Sequence, residues 1–344
     1  MVKVRLIYEQ IEAAKTYLLN GSLLGCRLSL ILLDNAAELM MHRELEHHFA
    51  REDKWSPKWE PARTEWLQAG RGPKYTPEER NDAQREFEPK TRILCIRLGR
   101  ISDEERRILN VCHKLRCEAF HSGKLRHPIL EHVSRLLYVT VVELTLKLRI
   151  RSFMLPGQRP ALEDANFLER FGLVNALALV GEDGLRQLAD RLLADVDFDP
   201  SAFSAALSDD LVESIDRTLQ GLEYVGETSD RSQVDRNLQY TQFWRDKGAV
   251  LAESGVREPD LESAYRRWQE EGCAIYTLHK IDRWRRQAEA IRRCKTPARA
   301  LGHYWGVDRR LRPLEDDVAE AVFQYDERIN SLIHSPLSRR TVQQ

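Results

Sequence analysis

Strand-like alternation of apolar and polar residues is nearly absent from this sequence, and that absence excludes a sheet-built fold. Cysteine pairs of the CxxC kind are missing too. The six thiols stand at 26, 95, 112, 117, 273 and 294, a scatter that removes the usual zinc and thioredoxin-like arrangements and leaves reduced cysteines as the default. No metal and no cofactor are expected. Long apolar runs are also missing. The longest, LLGCRLSLILL at 23–33, contains Arg27 and falls well short of the roughly 20 residues that cross a bilayer, so no membrane partner is expected. The first residues, MVKVRLIYEQIEAAK, place Glu9 and Glu12 on an amphipathic helix and lack the apolar core and cleavage site of a secretion signal. The expected location is the cytoplasm. No internal repeat is found.

What is present is helical periodicity. Almost every segment repeats apolar residues at three- and four-residue spacing, so the expected fold class is all-α. A chain of 344 residues, 42% of them hydrophobic, can supply cores for about two domains. Its formal net charge of −1 hides a segregation. Residues 160–230 hold 16 Asp and Glu against 4 Arg, net −12, and residues 280–312 hold 11 Lys and Arg against 3 acids, net +8. Charge this uneven concerns partners or docking rather than fold.

The first domain is expected over 1–153 as a four- or five-helix bundle. A helix over 3–19 stops at Asn20-Gly21, and a second covers 22–50. Residues 52–76, with three prolines and two glycines, read as an irregular excursion. Thr76-Pro77-Glu78-Glu79 then restarts a helix, as does Ser102-Asp103-Glu104-Glu105: a hydroxyl accepts free N–H groups and acids meet the positive helix end. His127-Pro128 opens a helix over 128–152 whose stripe of Ile129, Val133, Leu136, Leu137, Val141, Leu144 and Leu148 must be buried. The linker expected at 155–160, LPGQRP, cannot continue a helix. An α-helical second domain over 154–344 follows, with the acidic part to about 230, helices over 231–254 and 259–294, a helix start at Thr296-Pro297 and a last helix over 314–333.

The stretch KLRCEAFHSG at 114–123 places Arg116 and His121, both costly to bury, on a helix that otherwise reads as core. At about 100° per residue, Ile108, Val111, Cys112, Leu115 and Ala119 form the core stripe, and His113, Arg116, Cys117, Phe120 and His121 share another sector. Arg116 and His121 are about 140° apart on that wheel. One copy therefore makes an incomplete site, and two copies across a two-fold axis would bring two arginines and two histidines to one cleft.

Arg116-Cys117-Glu118-Ala119-Phe120-His121 resembles the Arg-x4-His motif of HEPN domains. The wider phrase LNVCHKLRCEAFHSG and LLDNAAELMMHR at 32–43 are similar to the same superfamily, over about residues 1–153. The resemblance implies a homodimeric, metal-independent endoribonuclease, of a kind common in toxin–antitoxin, CRISPR-linked and antiphage proteins. Such an enzyme attacks with the ribose 2′-OH. His121 would serve as general acid or base, and Arg116 would hold the phosphate and its developing charge. Cys117, Glu118, His113, Asp34 and Glu38 are the supporting candidates. The sequence departs from the family's pattern at Cys117, where Asn is frequent, and at Gly123, where toxins modified by minimal nucleotidyltransferases carry Tyr.

Other readings stay open from the residues alone. Arg116 can pair with Asp34 or Glu38 while His121 caps its helix, which would make the bundle structural. HRELEHHF at 42–49 reads as a solvated face rather than a metal site. In the basic stretch, Arg283, Trp284, Arg285, Arg286, Arg292 and Arg293, with Tyr304 and Trp305 beyond, combine phosphate-binding and base-stacking groups; the same stretch suits docking on the acidic region. Two functions therefore compete. One is an RNA-cleaving effector of a bacterial toxin–antitoxin or antiphage system, with an antitoxin or defence partner protein. The other is a non-catalytic dimerisation adaptor that binds a protein or nucleic acid through its charged second domain.

Overall fold

The computed structural model describes residues 2–55, 75–121, 127–148, 166, 169–171, 182–254 and 258–333. Among them twelve α-helices form and no strand: α1 Val2–Leu19, α2 Leu23–Trp55, α3 Pro77–Arg85, α4 Phe87–Arg92, α5 Asp103–His121, α6 His127–Lys147, α7 Glu182–Leu193, α8 Pro200–Gly226, α9 Arg231–Ser254, α10 Glu258–Glu270, α11 Leu278–Ile291 and α12 Pro297–Ile333. The fold class is all-α. No helix of the described residues is long and apolar enough to cross a membrane.

The two capped starts form as local chemistry dictates. Thr76 Oγ1 accepts from Glu79 N–H at 3.1 Å while Glu79 Oε2 accepts from Thr76 N–H at 3.0 Å. Ser102 and Glu105 exchange the same pair of bonds, at 3.1 and 2.8 Å. Each box satisfies two backbone donors that a helix start otherwise leaves unpaired. Helix α2 runs past the expected end at 50 to Trp55, so residues 52–55 of the expected excursion are helical. Residues 56–74 and the linker at 155–160 lie outside the described residues.

The chain divides into two compact units, Met1–Phe203 with Thr296–Gly302, and Ser204–Lys295 with His303–Gln344. In the first, α1 packs on α2, α2 packs on α5 and α6, and α6 also meets α1. The α6 stripe is buried throughout, from Ile129 to Leu148. The first unit thus reaches beyond the border expected at 153/154, because α7 buries Leu185, Leu188, Ala189 and Leu192 and packs on α6 and α1. Buried Tyr138 ties the two helices by donating to Leu192 O at 2.6 Å.

Close approach of α1 and α2 depends on a missing side chain. A Cβ on Gly25 would stand 2.4 Å from Tyr17 O, a backbone atom that cannot swing away. Gly25→Ala is therefore expected to destabilise the protein by about 1–3 kcal/mol, read as a fall in the urea midpoint; an unchanged midpoint would mean that α1 shifts at no cost.

In the second unit the expected helix over 259–294 is two helices. Gly272 takes φ 69° after α10, a conformation open to glycine, and Thr277 caps α11 by accepting from Lys280 N–H. Buried Gln242 holds the break, donating to Tyr276 O at 2.9 Å and accepting from Tyr276 N–H at 2.7 Å. Conversely, α12 is continuous through Pro313. A proline inside a helix costs about 3 kcal/mol, and burial of Leu311, Leu314 and Val318 on either side opposes that cost.

Candidate active site

The site grows from one buried carboxylate. Asp34 sits in the apolar middle of α2 and is 1% exposed, and an anion so placed needs partners. Helix α5 supplies them. His113 Nδ1 stands 3.0 and 3.1 Å from the two Asp34 oxygens, and Arg116 Nε stands 3.4 Å from Oδ2. Residues 113 and 116 lie one turn apart on α5, so both reach the same point on α2. Phe87, the first residue of α4, stacks on the His113 ring with centroids 4.0 Å apart and planes 11° from parallel.

Cys117 completes the group. Its sulfur is 3.7 Å from His113 Nε2 and 3.8 Å from an Arg116 terminal nitrogen, which donates toward it. Cys112, on the core side of the same helix, is fully buried; burial pushes its thiol up, and the Asp34 charge adds to the rise.

A residue outside the sequence candidates joins them. Arg27 on α2 donates to Ala119 O at 3.0 Å, one of the terminal carbonyls of α5, where a cation meets the negative end of the helix. Arg27 and Arg116, with Leu30, Ile31 and Ala119, line one shallow pocket. Its signal in the sequence is the one charge within the LLGCRLSLILL run.

Not every candidate converges here. Glu38 turns instead to Lys90, whose Nζ donates to Glu38 Oε1 at 2.8 Å. Glu118 is half-buried on α5. His121 is the last residue of α5, and its side chain, like that of Phe120, lies outside the described residues. The HRELEHHF stretch is occupied by ion pairs: His42 with Glu46 at 3.2 Å, and His48 with Glu44 at 3.2 Å, which Arg100 also meets.

The basic stretch of the second unit requires a correction. Trp284 is 5% exposed and Tyr304 is 0% exposed, so neither ring offers a face to a base. Trp284 packs edge-on against Tyr276 with the Arg310 guanidinium over its ring, and Tyr304 donates to buried Asp210 at 2.8 Å. Arg285 pairs with Asp216, and Arg292 pairs with Asp209. Part of the basic stretch thus meets part of the acidic one within this unit. Arg283, Arg286 and Arg293 are exposed.

Compared with known proteins, the chain matches no family model, no curated protein and no solved structure.

Proposed function

We propose that the first unit is a metal-independent endoribonuclease of the HEPN kind, acting as the effector of a bacterial toxin–antitoxin or antiphage system. The observation that carries this reading is the placement of Arg116 on the helix that closes with His121, with Arg27 beside it around one shallow pocket. A guanidinium so placed can match the oxygens of a phosphodiester with its forked donors.

The reaction assigned to it needs three services. A base takes the proton of the ribose 2′-OH, whose oxygen attacks phosphorus. Charge gathers on the equatorial oxygens of the phosphorane, where Arg116 meets it. An acid then protonates the leaving 5′-oxygen, and the products are a cyclic phosphate and a free 5′-hydroxyl. His121 takes the acid or base role, and a second copy of the chain supplies the complementary one. Asp34 stands 3.4 Å from Arg116 Nε and fixes where the guanidinium lies.

A second reading, a structural bundle that serves a dimeric adaptor, is favoured by the Asp34 network. A buried carboxylate met by a guanidinium and an imidazole is also what stability alone requires. One experiment separates the two. The purified protein is incubated with total RNA in EDTA beside His121→Ala, and the assembly state of each is measured. Cleavage by the wild-type homodimer, lost in the variant, supports the nuclease. Undiminished cleavage in the variant, or full activity in a monomer, overturns the site as described, and no cleavage by either protein favours the adaptor.

A further inference from the structure

We propose that Cys117 is a nucleophilic thiol, with His113 as its base and Asp34 as the residue that positions the base, and that it is a site of covalent modification by small disulfides and other soft electrophiles. The inference goes beyond RNA cleavage and does not rest on it.

Spacing alone does not make such a site. His113 and Cys117 are four residues apart on α5, and any helix brings such a pair together. What tertiary structure adds is direction. Asp34, from α2, meets His113 Nδ1 at 3.0 Å, which places the ring proton on that nitrogen and leaves the Nε2 lone pair facing Cys117 Sγ at 3.7 Å. The Phe87 ring, stacked flat on the imidazole, restricts its rotation. Arg116 also meets the sulfur, its terminal nitrogen donating toward it at 3.8 Å. Nucleophile, base and orienting carboxylate thus follow one another through hydrogen-bond contacts. Cys112 shows the contrast: the same carboxylate acts on that thiol without an intervening histidine, and the thiol is fully buried.

The step is a thiol–disulfide exchange. Cys117 gives its proton to His113 Nε2, and the thiolate attacks one sulfur of a disulfide. The Cys117–S bond forms as the old S–S bond breaks, and the departing thiolate takes the proton held by His113. No further oxidant or reductant is needed. Cys117 is a half-buried residue, open to small reagents, while Cys26 and Cys112 are buried.

The other part-exposed thiols, Cys95, Cys273 and Cys294, serve as controls within the same molecule. The full chain is treated at neutral pH with limiting iodoacetamide or with oxidised glutathione, and each cysteine is quantified by peptide mass mapping. Cys117 is expected to react about tenfold or more faster than any of the three. His113→Gln is expected to bring it down to their rate while α-helical content is retained. A Cys117 rate equal to that of Cys95 in the wild type overturns the proposal without recourse to any variant. So does an undiminished Cys117 rate in folded His113→Gln.

Discussion

Replacing Arg116 by alanine is expected to lower RNA cleavage by about 100-fold or more, the loss that follows removal of one preorganised donor to a developing anionic charge. The variant is not structurally silent. Arg116 Nε lies 3.4 Å from the buried Asp34 carboxylate, and alanine leaves that anion with His113 alone, at a cost of about 1–2 kcal/mol. Arg116→Lys separates the two effects. Lysine keeps a cation near Asp34 but loses the planar fork that grips a phosphate. Its stability is expected to stay close to wild type, with cleavage still at least about tenfold down. Initial rates in EDTA and urea midpoints of the three proteins decide the matter. Wild-type rates in both variants would remove Arg116 from the chemistry.

Glu38→Ala is expected to behave in the opposite way, costing about 2–4 kcal/mol of stability while cleavage per folded molecule stays unchanged. Lys90 is the reason. Its side chain is 2% exposed against 37% for Glu38, and its ammonium has Glu86 O at 3.2 Å as the other acceptor. Removing the carboxylate strands a buried cation, which costs about 3–5 kcal/mol for a fully enclosed pair; the wetter side of this pair reduces that figure. Lys90→Met in the Glu38→Ala background is expected to recover most of the loss, since an apolar side chain of similar length suits the site. Urea unfolding of the two single variants and the double variant tests this. A wild-type midpoint in Glu38→Ala would show that Lys90 finds other partners, and lost cleavage at full stability would return Glu38 to the active site.

These two acids mark how far the sequence could be read. Asp34, Asn35 and Glu38 are polar groups on an otherwise apolar stretch of α2, and each has a partner: Asp34 with His113 and Arg116, Asn35 with Gln10 at 3.0 Å, and Glu38 with Lys90. That they needed partners follows from composition; which partner each one took does not. Asp34 lies 79 residues from His113, and Glu38 lies 52 from Lys90, so the outcome depends on which helix faces dock. The same holds for Trp284 and Tyr304, whose rings suit RNA as well as they suit a core, and which burial assigned to the core.

The sequence by itself determined the all-α class, the starts of α3 and α5, the end of α1 at Asn20-Gly21, the buried stripe of α6, and the sharing of one sector by His113, Arg116 and Cys117. Each of these depends on local signals or on spacing along a single helix, which the backbone sets. Only the tertiary structure decided the break held by Gln242, the passage of α12 through Pro313, the docking of α7 on the first unit, the capping of α5 by Arg27, and the aim of His113 at Cys117. All of these depend on neighbouring helices, or on burial that outweighs a local preference by a few kcal/mol, and contacts distant in the chain exist only once apolar faces have chosen one another.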